Sequence, residues 1–253
     1  MRTALLALAA VVLALLAATV LDSSRAGAAN PFYVVPTGTT ECKRVKNCVG
    51  VVGPWVEVPA HREATFLFAC PSRREFVVGG TDARASSSKV RVWFDGRLGA
   101  PIGSTPPGGG AGAFLLFHAS ASDGRHGWFQ PILGCVALTQ KTKRSTVSVV
   151  PGARPAGPLD LRAVNVDLRL DGPLAKPTTR LRCPKRETLV GHWSAFAVGS
   201  PNPPGRSLAG AVSIATTTAG NAVGARFRAN RVFGHLVPLA TAQIGAMCEP
   251  LRR

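Results

Sequence analysis

The chain has 253 residues, with 30 Lys and Arg against 13 Asp and Glu, and a formal charge of +17 at pH 7. Apolar residues make up 46%, too many for a disordered chain, and 27 glycines and 20 prolines speak for many turns and against long helices. Few carboxylates and a single Tyr leave little material for acid–base pairs, or for the aromatic platforms on which nucleic-acid binders stack bases.

Residues 4–21 are an uncharged run, mostly Ala, Leu and Val, behind Arg2. Asp22-Ser23-Ser24-Arg25 breaks it, and the small residues Ala26-Gly27-Ala28 follow. Basic start, apolar core and small-residue cut site make a secretory signal peptide, expected over 1–29 with cleavage after Ala28 or Ala29. The run is also long enough for an uncleaved anchor, the alternative reading, but its many alanines suit an anchor poorly. No second long apolar run follows, so no transmembrane segment is expected in the mature chain. The expected location is the cell envelope or the extracellular space. There the positive charge points to anionic envelope polymers; no specific nucleic acid is expected.

Six cysteines come next: Cys42, Cys48, Cys70, Cys135, Cys183 and Cys248. An even count in an exported chain implies disulfides. Cys70 and Cys135 lie 65 residues apart, as do Cys183 and Cys248. Their surroundings match as well. Cys70-Pro71-Ser72-Arg73-Arg74-Glu75 leads to Val77-Val78-Gly79, and Cys183-Pro184-Lys185-Arg186-Glu187 leads to Leu189-Val190-Gly191. A candidate strand precedes each, at 65–69 and 178–182. This internal duplication predicts one fold twice over, each copy closing its own staple: Cys70 with Cys135, Cys183 with Cys248. Cys42 and Cys48 are left to close a short loop.

Further strands are expected at 89–94, ending in the turn Asp95-Gly96, and at 113–118, 141–150, 164–171 and 224–229. The segment 151–159, with Pro151, Gly152, Pro155, Gly157 and Pro158, reads as a linker; 101–112 and 199–205 read as long loops. The expected class is all-β: two tandem disulfide-stapled β-sandwich-like domains, 30–150 and 160–253.

Arg180 and Arg182 alternate with Leu181 and Cys183, and Arg226 and Arg228 flank Phe227. If those two strands share a sheet, the four arginines make a basic face on the second domain, suited to a polyanion. In the first domain Leu67 and Ala69 stand at the matching positions, so its outer face is expected to be apolar and covered by the other domain. Asp167 and Asp171, with Arg169 between them, are expected on a wet strand face.

No nucleophile elbow, His-Glu-x-x-His, Cys-x-x-Cys or phosphate loop occurs. No catalytic residue, cofactor or metal is therefore expected. Should the chain be a secreted hydrolase instead, His118, Asp123 and His126, gathered around one loop, are the residues from which it would build its site.

Three stretches resemble a family. Trp55-Val56-Glu57-Val58-Pro59, then Cys70-Pro71 leading to Gly79-Gly80-Thr81-Asp82, then Phe129-Gln130-Pro131-Ile132-Leu133-Gly134-Cys135-Val136 are similar to exported actinobacterial-type proteins. Those open on Cys-Pro…Val-Val-Gly-Gly and close on Phe-x-Pro-x-x-Gly-Cys. The likeness covers the first domain; the second keeps the Cys-Pro opening, the cysteine spacing and Gly191. It implies export and a β-rich disulfide domain, and no particular activity. A non-catalytic structural or binding protein is the resulting expectation.

Overall fold

The computed structural model describes residues 33–35, 42, 48–71, 76–96, 114–137, 148–149, 153–157, 162–170, 178–229 and 240–251. The expected signal peptide and the loop 101–112 lie outside the described residues. Apart from short 3₁₀ turns, one of them Arg206–Leu208, the described regular structure is all strand. The class is all-β, as the alternating pattern and turn-rich composition predict.

The first half holds β1 (Tyr33–Val35), β2 (Cys48–Val52), β3 (Trp55–Val58), β4 (Ala64–Ala69), β5 (Phe76–Ala85), β6 (Val90–Asp95), β7 (Phe114–Ala121) and β8 (Gly127–Ala137). β9 (Ser148–Val149) and β10 (Ala153–Gly157) lead into the second half. That half holds β11 (Arg162–Arg169), β12 (Thr178–Arg182), β13 (Glu187–Val198), β14 (Val212–Ala219), β15 (Ala222–Ala229) and β16 (Ala240–Pro250).

Each half repeats one arrangement. β7 lies between β4 and β6, and β15 lies between β12 and β14. In the large sheet β5 pairs with β8, and β13 with β16. The correspondence reaches single residues. Val78 lies opposite Cys135 and Leu189 opposite Cys248, and a bulge follows each at once, between Val78 and Gly80 and between Leu189 and Gly191. Disulfides Cys70–Cys135 and Cys183–Cys248 tie the ends of β4 and β12 to β8 and β16, and Cys42–Cys48 closes the short loop. These are the pairs that the spacing singles out.

The halves are fused. β13 pairs with β3 through Ala197–Val56 and Val198–Trp55, so one sheet runs β1-β2-β8-β3-β13-β16-β11 through both. Pro31–Arg253 form one compact unit. The expected linker 151–159 is not free chain either: its residues Ala153–Gly157 are β10, parallel to β6. β10 is an end strand, where a proline's missing N–H costs no ladder bond.

Fusion explains why β3 reads as an apolar run with one charge. Successive side chains point to opposite sides of a strand. Val56, Val58, Phe129, Ala195 and Ala197 enter the core under the β4–β7–β6 layer, while Trp55, Trp128, Phe196 and Val198 enter the core under β12–β15–β14. The strands at the seam are therefore buried on both faces. A third cluster joins Leu67 and Leu116, on the outer side of β4 and β7, to Ala163 and Trp193 of the second half. The apolar outer face of the first half is thus covered by the second. On β11 Ala163 is buried, whereas Asp167 is exposed as expected and accepts at Oδ1 a hydrogen bond from Nε2 of the buried Gln243. The Asp171 and Arg169 side chains of that ladder lie outside the described residues.

Candidate functional site

The second half presents the four arginines on one side of one sheet. The inward residues are Leu181 of β12 and Cys183 just after it, and in β15 Val223, Ala225 and Phe227, all packed in the core. Alternation leaves Arg180, Arg182, Arg226 and Arg228 outside, and all four are exposed. Register then sets them in line. Arg226 lies opposite Thr178, Gly224 opposite Arg180 and Ala222 opposite Arg182. Arg228, Arg226, Arg180 and Arg182 therefore occupy four successive outward levels, crossing from β15 to β12 in the middle. With two residues per level the row is about 20 Å long. On the flanking β14, Ser213 lies opposite Arg228 and Thr217 opposite Gly224, adding hydroxyls to the face.

No acid answers this charge. β12, β14 and β15 contain no Asp or Glu. Among the described residues the arginine ion pair is Arg162–Glu187, which involves none of the four. Four exposed guanidiniums on one face of a sheet can bind several oxyanions of one chain at once.

A second feature lies at the seam. A cleft of about 410 Å³ is bounded by Glu57 at the end of β3, by β13 and by β14. Glu57 is only 6% exposed. Its Oε1 accepts the Gly210 N–H at 2.6 Å and faces His126 Nδ1 at 2.7 Å, which donates to it. Burial pushes the carboxyl above the usual glutamate value; these two hydrogen bonds, and the charges of His126 and Arg62, offset only part of that. Across the cleft His192 Nε2 meets Thr216 Oγ1 at 3.1 Å.

No protein-family model matches the chain, and no curated protein matches its sequence.

His118, Asp123 and His126 do not form a common site. His118 faces Glu63 at 2.7 Å through Nδ1 and Asp95 at 3.2 Å through Nε2, with its ring stacked 5.7 Å from that of Trp93. His126 belongs to Glu57. Asp123 turns back on its own loop and accepts the Arg125 N–H at 3.1 Å. The reason is the pleat: neighbours along one loop end up on different layers. Glu57, which a sequence reading passes over, is the buried acid. Its signal was a lone charge within the apolar run Trp55-Val56-Glu57-Val58. Among the described residues no three His, Cys, Asp or Glu side chains gather closely enough to hold a metal ion.

Proposed function

We propose that this chain is an exported, non-catalytic binding protein that holds an extended anionic polymer of the cell envelope or extracellular space along the row Arg228, Arg226, Arg180 and Arg182. The observation that carries this reading is the row itself: four exposed arginines in register on a strand face without a carboxylate. Four cations in line suit a chain with repeated charges better than a single small anion, which could engage only one or two of them. The disulfides accord with an oxidising location outside the cytoplasm. Likeness to exported actinobacterial-type proteins, in the stretches from Trp55 to Cys135, accords with it too.

The test is retention on a sulfated or phosphorylated matrix. Wild-type protein should be held and should elute with rising salt, and Arg180→Glu combined with Arg228→Glu should elute much earlier. Equal elution would show that the net charge of the whole surface, not this row, does the binding.

A further inference from the structure

The face that carries the arginine row has a counterpart in the first half. There Trp93 of β6 lies opposite His118 of β7, and His118 opposite Thr65 of β4. In the second half Ala215 of β14 lies opposite Arg226 of β15, and Arg226 opposite Thr178 of β12. Trp93 points outward, because its neighbours Val92 and Phe94 enter the core. Ala215 is outward too: Ile214 before it packs on the core, and Ala215 is exposed. The fold thus admits a tryptophan at this level, and the second half places a methyl group there.

The rest of the face follows the same rule. Outward on β14 come Ser213, Ala215, Thr217 and Ala219, all exposed. Register sets Thr217 beside Gly224 and Ala219 beside Ala222, with Arg180 and Arg182 on the far side of those two. The one aromatic residue of β12, β14 and β15 is Phe227, which is in the core. The face offers guanidiniums and hydroxyls without an aromatic ring. Proteins that bind single-stranded nucleic acid stack its bases on aromatic side chains, and none stands here.

Charge spacing narrows the choice further. Successive outward levels lie about 7 Å apart, two residues along a strand. Phosphodiesters joined by short polyols carry one charge per comparable length, so consecutive phosphates can reach consecutive arginines. Polyphosphate crowds its charges on adjacent phosphorus atoms, and most of them would face no arginine. Thr178, Ser213 and Thr217 add hydroxyls that both donate and accept, as the hydroxyls of a polyol do.

We infer that the polymer held by the row is a phosphodiester-linked polyol chain, not a nucleic acid, a polyphosphate or a sulfated glycan. This rests on the row being a polymer site, as proposed above, and names the class of its ligand.

The experiment lets oligomers of equal charge compete for the whole mature protein at one salt concentration: glycerol phosphate oligomer, oligothymidylate, polyphosphate and a heparin fragment. Counterion release alone would favour the most densely charged, polyphosphate and heparin. The glycerol phosphate oligomer should instead bind about fivefold or more tighter than each of the others. Ala215→Trp supplies the residue type that the first half has at this level. It should tighten oligothymidylate binding about fivefold or more by stacking, and weaken that of glycerol phosphate. The inference is overturned if another oligomer competes best against wild type, an order that decides even if the variant does not fold. It is also overturned if folded Ala215→Trp binds oligothymidylate no better than wild type does. If Arg180→Glu with Arg228→Glu leaves all four affinities unchanged, the row is not the site, and the proposed function falls together with the inference. If that variant weakens all four but their order is wrong, only the inference falls.

Discussion

The indole of Trp193 lies across the bare backbone of Gly245, its register partner on β16, so closely that a Cβ at Gly245 would fall inside the ring. This contact seats the indole N–H against Gln243 Oε1 at 2.9 Å. The same oxygen accepts the Leu67 N–H at 2.6 Å, while Gln243 Nε2 donates to Leu67 O and to Asp167 Oδ1, each at 2.9 Å. A fully buried glutamine of the second half thus acts as strand partner to an edge residue of the first.

Gly245→Ala should therefore be costly. The new methyl must push Trp193 aside, and overpacking of this kind costs about 1–3 kcal/mol before any hydrogen bond is lost. Gly191→Ala on the facing strand is the control, because its Cβ would sit at an ordinary 3.6 Å from Met247. Urea denaturation should show a clear fall in midpoint for the first and little change for the second. Equal midpoints would mean that Trp193 does not hold this position.

Gln243→Leu tests the polar half of the same joint. It keeps the volume but strands the Leu67 N–H and C=O and the Trp193 N–H in a dry site. With about 1–3 kcal/mol for each buried group left without a partner, the loss should exceed about 3 kcal/mol. A stable Gln243→Leu protein would show that the seam is held by Leu67, Leu116 and Trp193 packing alone.

The sequence spoke clearly where one element could be read alone. Cysteine spacing exposed the duplication because a covalent staple must recur at the same place in each copy, and the alternation around Phe227 and Leu181 gave the outward arginines. What joins the halves was hidden. Gln243 reads as an ordinary polar strand residue, and only the fold brings it to Leu67, 176 residues away. Ala153–Gly157 looks like linker because its proline and glycine mask an end strand. His118 and His126 look like neighbours because sequence distance does not tell which layer a pleated strand faces.

Removing the staples should separate long loops from short ones. In the chain-entropy picture, replacing Cys183 and Cys248 together by Ala should cost about 4 kcal/mol, and replacing Cys42 and Cys48 about 2 kcal/mol. Chemical denaturation of the two double variants checks the order. Reversal of that order would assign the Cys42–Cys48 loop a folded-state role beyond restraining the unfolded chain.

The arginine row makes a quantitative claim about salt. For a flexible single-stranded polyanion, each neutralised charge lowers the slope of log K against log salt by about 0.7. Four contacts give a slope near about −3, and Arg226→Ala should make it shallower by about 0.7. Titration of a fluorescent anionic polymer at several salt concentrations measures both. A slope unaffected by Arg226→Ala would remove that residue from the contact.

Glu57 ties stability to pH in an unusual direction. Most native carboxylates are held charged, so acid weakens the fold. Burial instead raises the Glu57 carboxyl above its ordinary 4.5, even with His126, Arg62 and the Gly210 N–H beside it. Below pH 4.5 the group is protonated in folded and unfolded chains alike, and its contribution to stability is complete. As pH rises past that value the unfolded chain gives up the proton first, and stability is lost until the folded carboxyl ionises in turn. Glu57→Gln, which cannot ionise, escapes this loss. Asp167, also raised by the protein packed around it, is common to both proteins and cancels in the comparison. Melting temperatures from pH 4 to pH 8 should therefore show wild type losing ground to Glu57→Gln as pH rises. If wild type gains on the variant instead, the ion pair with His126 outweighs burial, and Glu57 works as a charged clasp across the seam.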